Sequence, residues 1–326
     1  MTQGQTRVGV VGATGAVGRV TVDLLLERGY TAVRAFASER SAGTYVRDIE
    51  VEEATPAALA EDLDVLLFSV GADASRELVP PAAATGALCI DKSSAFRLRE
   101  GVPLVVPEVN GDRVREHAGI VANPNCCAIP LTLALAPLNE AAGLRNVRVA
   151  TYQSVSGAGS RAMDRLRSTP LEEHDLAMDW TFDGVELEEE EKIRSETRKI
   201  LDLDDLPVSA TCVRVPVLVG HAETVWIETD EPLSPVEAAG VLGTAAGIAL
   251  DPFPTPRKAA GGNEVLVGRI RADAVAENGL VFFLACDNLR KGAALNAIQI
   301  LERALADDDA AGRAQLGTAH PHPSRR

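Results

Sequence analysis

The chain opens on a strand, a glycine-rich turn and a helix in immediate succession, and that order constrains the fold more than any other stretch. Arg7-Val8-Gly9-Val10-Val11 reads as a strand, and Gly12-Ala13-Thr14-Gly15-Ala16-Val17-Gly18 follows at once. Arg19 to Arg28 then has helical spacing, with Val20, Leu24 and Leu25 on one face and Gly29 as the stop. G-x-x-G-x-x-G between a strand and a helix is a variant of the dinucleotide fingerprint. Glycine lets the backbone approach a pyrophosphate, and the helix N-terminus faces its charge.

The second strand, Ala32 to Ala37, ends in Ser38-Glu39-Arg40-Ser41-Ala42-Gly43. Two hydroxyls and an arginine around a glycine turn favour a 2′-phosphate, hence NADP(H), with Glu39 the contrary sign. Further strands are expected at Val65–Val70, Ala87–Ile90, Leu104–Val106 and Ile120–Val121, with helices at Pro56–Leu63 and Ser75–Thr85. That alternation predicts an α/β, Rossmann-type, doubly wound parallel sheet with its ligand at the carboxyl ends of the strands.

A cysteine stands at the end of this sheet. Ala122-Asn123-Pro124-Asn125-Cys126-Cys127 lies between the last short strand and an expected helix at Ile129–Leu138. At a helix N-terminus unpaired N–H groups and the dipole favour a thiolate, the form that attacks carbonyl carbon. Most free cysteines are small buried apolar residues; the position facing a cofactor favours the nucleophile for Cys126.

The second half is expected to be an α+β domain on an antiparallel or mixed sheet. Its strands are read at Val147–Gln153, Val208–Val217, Thr224–Thr229, Val265–Ile270 and Leu280–Cys286. Helices are read at Lys192–Leu201 and Pro235–Ala246, with an exposed acidic patch at Glu186–Glu191. Residues 1–127 form the first domain, 128–289 the second, and a helix over about 290–306 returns to the first. Residues 307–326 read as an unstructured tail.

Composition excludes some classes. The 326 residues suit two domains, and 46% apolar content with 4% aromatic content describes an aliphatic core. A net charge of −15 argues against nucleic acid and anionic membranes. There is no transmembrane run, no signal peptide, no C-x-x-C and no metal site in prospect, which fits a reducing cytoplasm.

Polar residues in apolar settings complete the picture. Arg214 interrupts an apolar strand, which is costly without a partner. His221 follows Gly220 between two strands, Gln153 ends a strand before a glycine turn, and Arg97 closes Ser93-Ser94-Ala95-Phe96. Thiol, imidazole, guanidinium groups and a nicotinamide fit hydride transfer through a thioester.

With these motifs the chain resembles the aspartate-semialdehyde dehydrogenase family, of the type found in Gram-positive bacteria. The resemblance runs from about Val8 to Glu302. It rests on Gly12 to Gly18, Ser93 to Arg97, Val106-Pro107-Glu108-Val109-Asn110, Asn123-Pro124-Asn125-Cys126, Tyr152 to Gly159, Glu196-Thr197-Arg198-Lys199-Ile200, Arg214-Val215-Pro216, Gly220-His221, Val267 to Arg271 and Asp287 to Ala294. It implies NADPH-dependent reductive dephosphorylation of L-aspartyl 4-phosphate to the semialdehyde and inorganic phosphate, supplying lysine, threonine, methionine and diaminopimelate synthesis. It also implies a homodimer joined through the second domain.

The resemblance makes Cys126 the acyl-carrying nucleophile, His221 the acid/base and Gln153 the residue that positions the acyl group. Arg214 would bind the substrate carboxylate, Glu189 its ammonium, and Arg97 and Lys192 the phosphate. Thr14, Gly15, Ala16, Val17, Arg40, Ser41, Ser156, Gly157 and Asn288 would contact NADP, alongside Gly12 and Ser38 from the reading above. Three positions depart from the family pattern: Lys92 for asparagine, Cys127 for serine or threonine, and Pro130 for a polar residue. They leave room for a paralogue such as an N-acetylglutamyl-phosphate reductase. A noncatalytic NADP-binding homologue, or a redox sensor built on the vicinal cysteines, are the other readings.

Overall fold

The structure, a computed structural model, describes residues 3–170 and 175–317. In chain order the first half runs β1 (Arg7–Val11), α1 (Ala16–Glu27), β2 (Ala32–Ala37), β3 (Tyr45–Val46), β4 (Ile49–Glu53), α2 (Pro56–Leu59), β5 (Val65–Phe68), α3 (Ala72–Ala83), β6 (Leu88–Asp91), α4 (Pro107–Asn110) and β7 (Ile120–Ala122). These strands form one seven-stranded sheet in the order β3-β4-β2-β1-β5-β6-β7. It is parallel except for the β3–β4 hairpin. The chain leaves β1 towards β2 on one side and reaches β5 on the other, so the crevice at the carboxyl ends of β1 and β5 is the switch point where such sheets bind ligands.

The second half runs α5 (Ala128–Ala142), β8 (Leu144–Ser154), α6 (Ser160–Ser168), α7 (Glu188–Leu201), β9 (Val208–Val215), β10 (His221–Thr229), α8 (Pro235–Thr244), β11 (Ile248–Leu250), α9 (Pro256–Ala259), β12 (Val265–Ala272) and β13 (Gly279–Cys286). Its six strands form a mixed sheet, β11-β12-β13-β10-β8-β9. A π-helical turn at Arg290–Ala294 then leads into α10 (Leu295–Gly317).

Two apolar cores flank the first sheet. One side packs α1 and α10 through Val22, Leu24, Leu25, Ile298 and Leu301 against Val8, Val10 and Leu67. The other joins Phe36, Leu66 and Phe68 to α5 and, through it, to Val149, Val225 and Phe282 of the second sheet. α5 is therefore apolar on nearly every face, as a helix wedged between two layers must be.

Several expectations are corrected. Leu104–Val106 is not a strand: it makes one bridge, Leu104 to Ala122, because Pro107 starts a helix at once. The helix at Pro56 stops at Leu59. His221 lies in β10 and not between strands. The acidic run is not a uniformly exposed patch: Glu188 to Glu191 form the first turn of α7, where the helix dipole favours carboxylates. Within that turn Glu189 is only 5% exposed. The tail expected from 307 begins inside α10, which continues to Gly317; 318–326 lie outside the described residues. No helix among the described residues is long and apolar enough to cross a membrane.

Candidate active site

The glycine turn closes over the end of β1. Gly12 has φ +83°, and a Cβ there would meet Ser69 O at 2.4 Å, so only glycine fits. The N–H groups of Gly12 and Ala13 both donate to Phe36 O, at 2.8 and 3.0 Å, tying the turn to the end of β2. Gly15 is the N-cap of α1 and brings no capping side chain, which leaves the first amides for an anion. Ser38, Arg40 and Ser41 lie beside this turn, around a short 3-10 turn at Glu39–Ser41, with Glu39 and Arg40 exposed. These residues fit a dinucleotide.

Cys126 stands two residues before the first residue of α5, with Cys127 between. Asn125 caps the helix: its Oδ1 accepts from Cys127 N at 2.7 Å and Ala128 N at 3.4 Å. The Cys126 thiol is held well below its ordinary value of 9.0, first by a hydrogen bond from the Cys127 thiol and then by His221 and the Arg97 charge. Burial pushes Cys127 the other way, well above 9.0. Cys126 is thus biased towards the thiolate, with the Cys127 thiol buried behind it.

His221, 1% exposed, is oriented by β8. Ser154 N donates to its Nδ1 at 3.0 Å, and Ser154 Oγ lies 3.1 Å from the same nitrogen. Nδ1 is therefore an acceptor, and the neutral ring carries its hydrogen on Nε2. Nε2 has no hydrogen-bond partner and abuts Gly157, where a Cβ would come within 3.3 Å of it and within 3.1 Å of Arg214 Nη1. Gly157 keeps the space above the imidazole open. The ligand atoms of Cys126, Cys127 and His221 lie within 4.8 Å of one another. The trio does not suit a metal, because a neutral ring already accepting at Nδ1 has no lone pair at Nε2.

A cavity of about 390 Å³ opens in front of the thiol. It gathers Cys126, Gln153, Arg97, Glu189, Lys192 and Arg214 from the expected catalytic and substrate set. Val17, Ser156, Gly157 and Asn288 from the cofactor set line it too. Gly12, Thr14, Gly15, Ala16, Ser38, Arg40 and Ser41 lie outside this cavity, on the turns at the ends of β1 and β2.

The charged groups are held in place by partners. Arg97 is buried; it donates to Glu196 at 2.9 Å, Asn123 O at 3.1 Å and Lys92 O at 2.7 Å. Arg214 pairs with Asp179 at 3.0 Å, donates to Ser154 O at 3.0 Å and stacks on Trp180 at 4.4 Å. Glu189 accepts from Gln153 and Asn125, at 3.0 and 2.9 Å, and faces Lys192 at 3.8 Å. Asn288 Oδ1 accepts from Gly220 N at 2.9 Å and from Ser154 and Ser156, each at 3.1 Å.

Some supporting residues carried no role in the sequence reading. Glu196 holds both Arg97 and the Asn125 N–H, the latter at 2.6 Å; burial raises its pKa against the pull of Arg97. Lys199 Nζ donates to the carbonyls of Arg97, Arg99 and Val102, fixing the loop behind the guanidinium. Lys291, fully buried in the π-turn, pairs with Glu108 at 2.8 Å and reaches Asn296 and Gln299. The helical spacing of Glu189, Ile193, Glu196 and Ile200 was a usable signal for a buried acidic face.

A Rossmann-type sheet joined to a mixed-sheet domain, with an activated cysteine at the carboxyl ends of the strands, defines a nicotinamide-dependent dehydrogenase. Residues 7–117 match the family model described as semialdehyde dehydrogenase, NAD binding domain, and residues 135–183 and 178–291 match semialdehyde dehydrogenase, dimerisation domain. The chain belongs to the aspartate-semialdehyde dehydrogenase family. It is 43% identical over 91% of its length to an aspartate-semialdehyde dehydrogenase of Corynebacterium melassecola, covering 98% of that protein. A Vibrio cholerae aspartate semialdehyde dehydrogenase II, solved as a complex with ASA, superposes with a TM-score of 0.86 at 36% identity, over 93% of this chain and 99% of that one. An aspartate semialdehyde dehydrogenase from Candida albicans, solved with NADP, has a TM-score of 0.74 at 25% identity, over 93% and 99%.

Proposed function

We propose that the chain is the NADPH-dependent enzyme that reduces L-aspartyl 4-phosphate to L-aspartate 4-semialdehyde, releasing inorganic phosphate, in the synthesis of lysine, threonine, methionine and diaminopimelate. The observation that carries this is Cys126, its pKa lowered, in a cavity lined by Arg97, Glu189, Lys192 and Arg214. A substrate with a carboxylate, an ammonium and a phosphoryl group finds complementary charges there.

Cys126 attacks the acyl carbon and expels phosphate, leaving a thioester. Bound NADPH supplies a hydride to that thioester. The resulting oxyanion collapses and expels the Cys126 thiolate, and the one proton taken up overall ends on phosphate. His221 Nε2–H is turned to donate to the thiolate and to the oxyanion; acid/base work by the ring requires release of the Ser154 contact. Gln153, held by Glu189, orients the acyl group. Arg214 and Glu189 take the substrate carboxylate and ammonium, and Arg97 and Lys192 the phosphate.

Ser38, Arg40 and Ser41 support NADP over NAD, as an arginine and hydroxyls suit a 2′-phosphate. Residues 1–127 with the returning helix carry the cofactor; 128–289 carry catalysis and the contact of a homodimer.

The test is spectrophotometric. Purified protein is mixed with aspartate semialdehyde, phosphate and NADP, and NADPH absorbance is followed. Phosphate-dependent reduction supports the reading; reduction only with N-acetylglutamate semialdehyde, or none by a protein that binds NADP, sinks it.

A further inference from the structure

We propose that Lys92 is an additional phosphate-holding residue of this cavity, contacting the phosphoryl group of the acyl phosphate and of inorganic phosphate. The inference deepens the reading above and rests on it.

Lys92 follows β6 and lines the same cavity as Arg97 and Cys126. Its main chain is fixed on both sides: its N–H donates to Phe68 O at 3.1 Å, and its carbonyl accepts from Arg97 Nη2 at 2.7 Å. The two cations therefore stand on one short loop. Its side chain behaves differently from the others in the cavity. Arg97 has Glu196, Lys192 has Glu188 at 2.7 Å, and Arg214 has Asp179. Lys92 Nζ is buried and has no hydrogen-bond partner. Asp91, its neighbour in the chain, is committed to Ser75 Oγ at 2.7 Å and Ser93 Oγ at 2.6 Å. Among the described residues, Lys92 is thus the cation of this cavity that no carboxylate contacts.

A buried ammonium without a counter-charge is costly. Burial pulls Lys92 from 10.5 down to about 7, with Asp91 opposing. An anion entering the cavity removes that cost and restores the charge. The other cations would have to share an incoming phosphate with the carboxylates they already hold. Lys92 has three donors and no such prior claim.

The test uses the full-length protein and Lys92→Met, which keeps the length of the side chain and removes the charge. Initial rates with aspartate semialdehyde are measured while phosphate, aldehyde and NADP are varied in turn. The expected result is a KM for phosphate raised about tenfold, the loss of one charge-assisted contact, with the KM values for aldehyde and NADP little moved. In parallel, inorganic phosphate alone is titrated into each protein and Tm is followed. Phosphate should raise the Tm of the wild type and do so much less for Lys92→Met. This arm needs no turnover. Absence of phosphate-dependent turnover in the wild type would count against the proposed reaction, while the Tm comparison would still decide for or against Lys92. Equal phosphate KM values, equal Tm responses, no phosphate response in the wild type, or a selective rise in the KM for NADP would each overturn the assignment.

Discussion

The main-chain N–H of Ser154 donates to Nδ1 of His221 at 3.0 Å, and this contact leaves a hydrogen-bearing Nε2 beside Gly157, at the back wall of the cavity. The residue is then suited to stabilise negative charge on sulfur and oxygen by donation. An amide can do the same without shuttling a proton. His221→Gln is expected to lose about 10–100-fold in kcat/KM, and His221→Ala about a thousandfold. Equal losses would show that donation at this position is not what matters.

Cys126 should stay reactive below the ordinary pKa of a thiol. A free thiol loses roughly tenfold in alkylation rate for each pH unit below its ordinary value. With Cys126 held well below 9.0 by Cys127, His221 and Arg97, its reaction with iodoacetamide should fall much less than that between pH 9 and about pH 7. Cys127→Ala removes a donor that favours the thiolate, so the titration should move upward. A rate that falls steeply from pH 9 in the wild type would contradict the assignment.

Arg40 is the test of cofactor choice. Its guanidinium sits exposed on the turn after β2. Arg40→Glu should lower kcat/KM for NADP by about 10–100-fold through loss of a charge-assisted contact and added repulsion, while NAD is used as well as before or better. No change in the NADP/NAD ratio would place the 2′-phosphate elsewhere.

The buried Lys291–Glu108 pair, 2.8 Å apart, seats the π-turn against α4. Removing one partner leaves a buried charge, so Lys291→Met should cost about 3–5 kcal/mol. The double substitution with Glu108→Leu should recover part of that loss. Urea unfolding midpoints for the two variants measure both effects, and a double variant no better than the single one would argue against an ionic cause.

The parts of this protein that were legible are those written locally. The strand, glycine turn and helix at Arg7–Glu27, and the cysteine at the junction before α5, are signalled by neighbouring residues alone. Gln153 and Arg214 stood out because polar groups in apolar strands demand an explanation, and Arg97 because it closes the Ser93–Phe96 motif. What supplies that explanation is not local: Arg97 meets Glu196 across 99 positions and Lys291 meets Glu108 across 183. Glu186–Glu191 misled because a run of like charges suggests solvent, whereas a helix start distributes its carboxylates over every face. Asp179 has no pattern of its own and is recognisable only from the arginine it serves; Lys199 lies in a recognised motif, but its task on the Arg97 loop shows only in the fold.

The packing of α10 against β1 and α1 has a consequence for how the molecule is made. The apolar face formed by Val8, Val10, Leu24 and Leu25 is covered by Ile298, Ile300 and Leu301. A chain emerging from the ribosome delivers that face about 270 residues before its cover. The nucleotide-binding half therefore waits with one side unsealed until α10 has been made. Growing chains that stop before Leu295 keep it so, which makes unfinished copies the forms most prone to capture by chaperones or proteases.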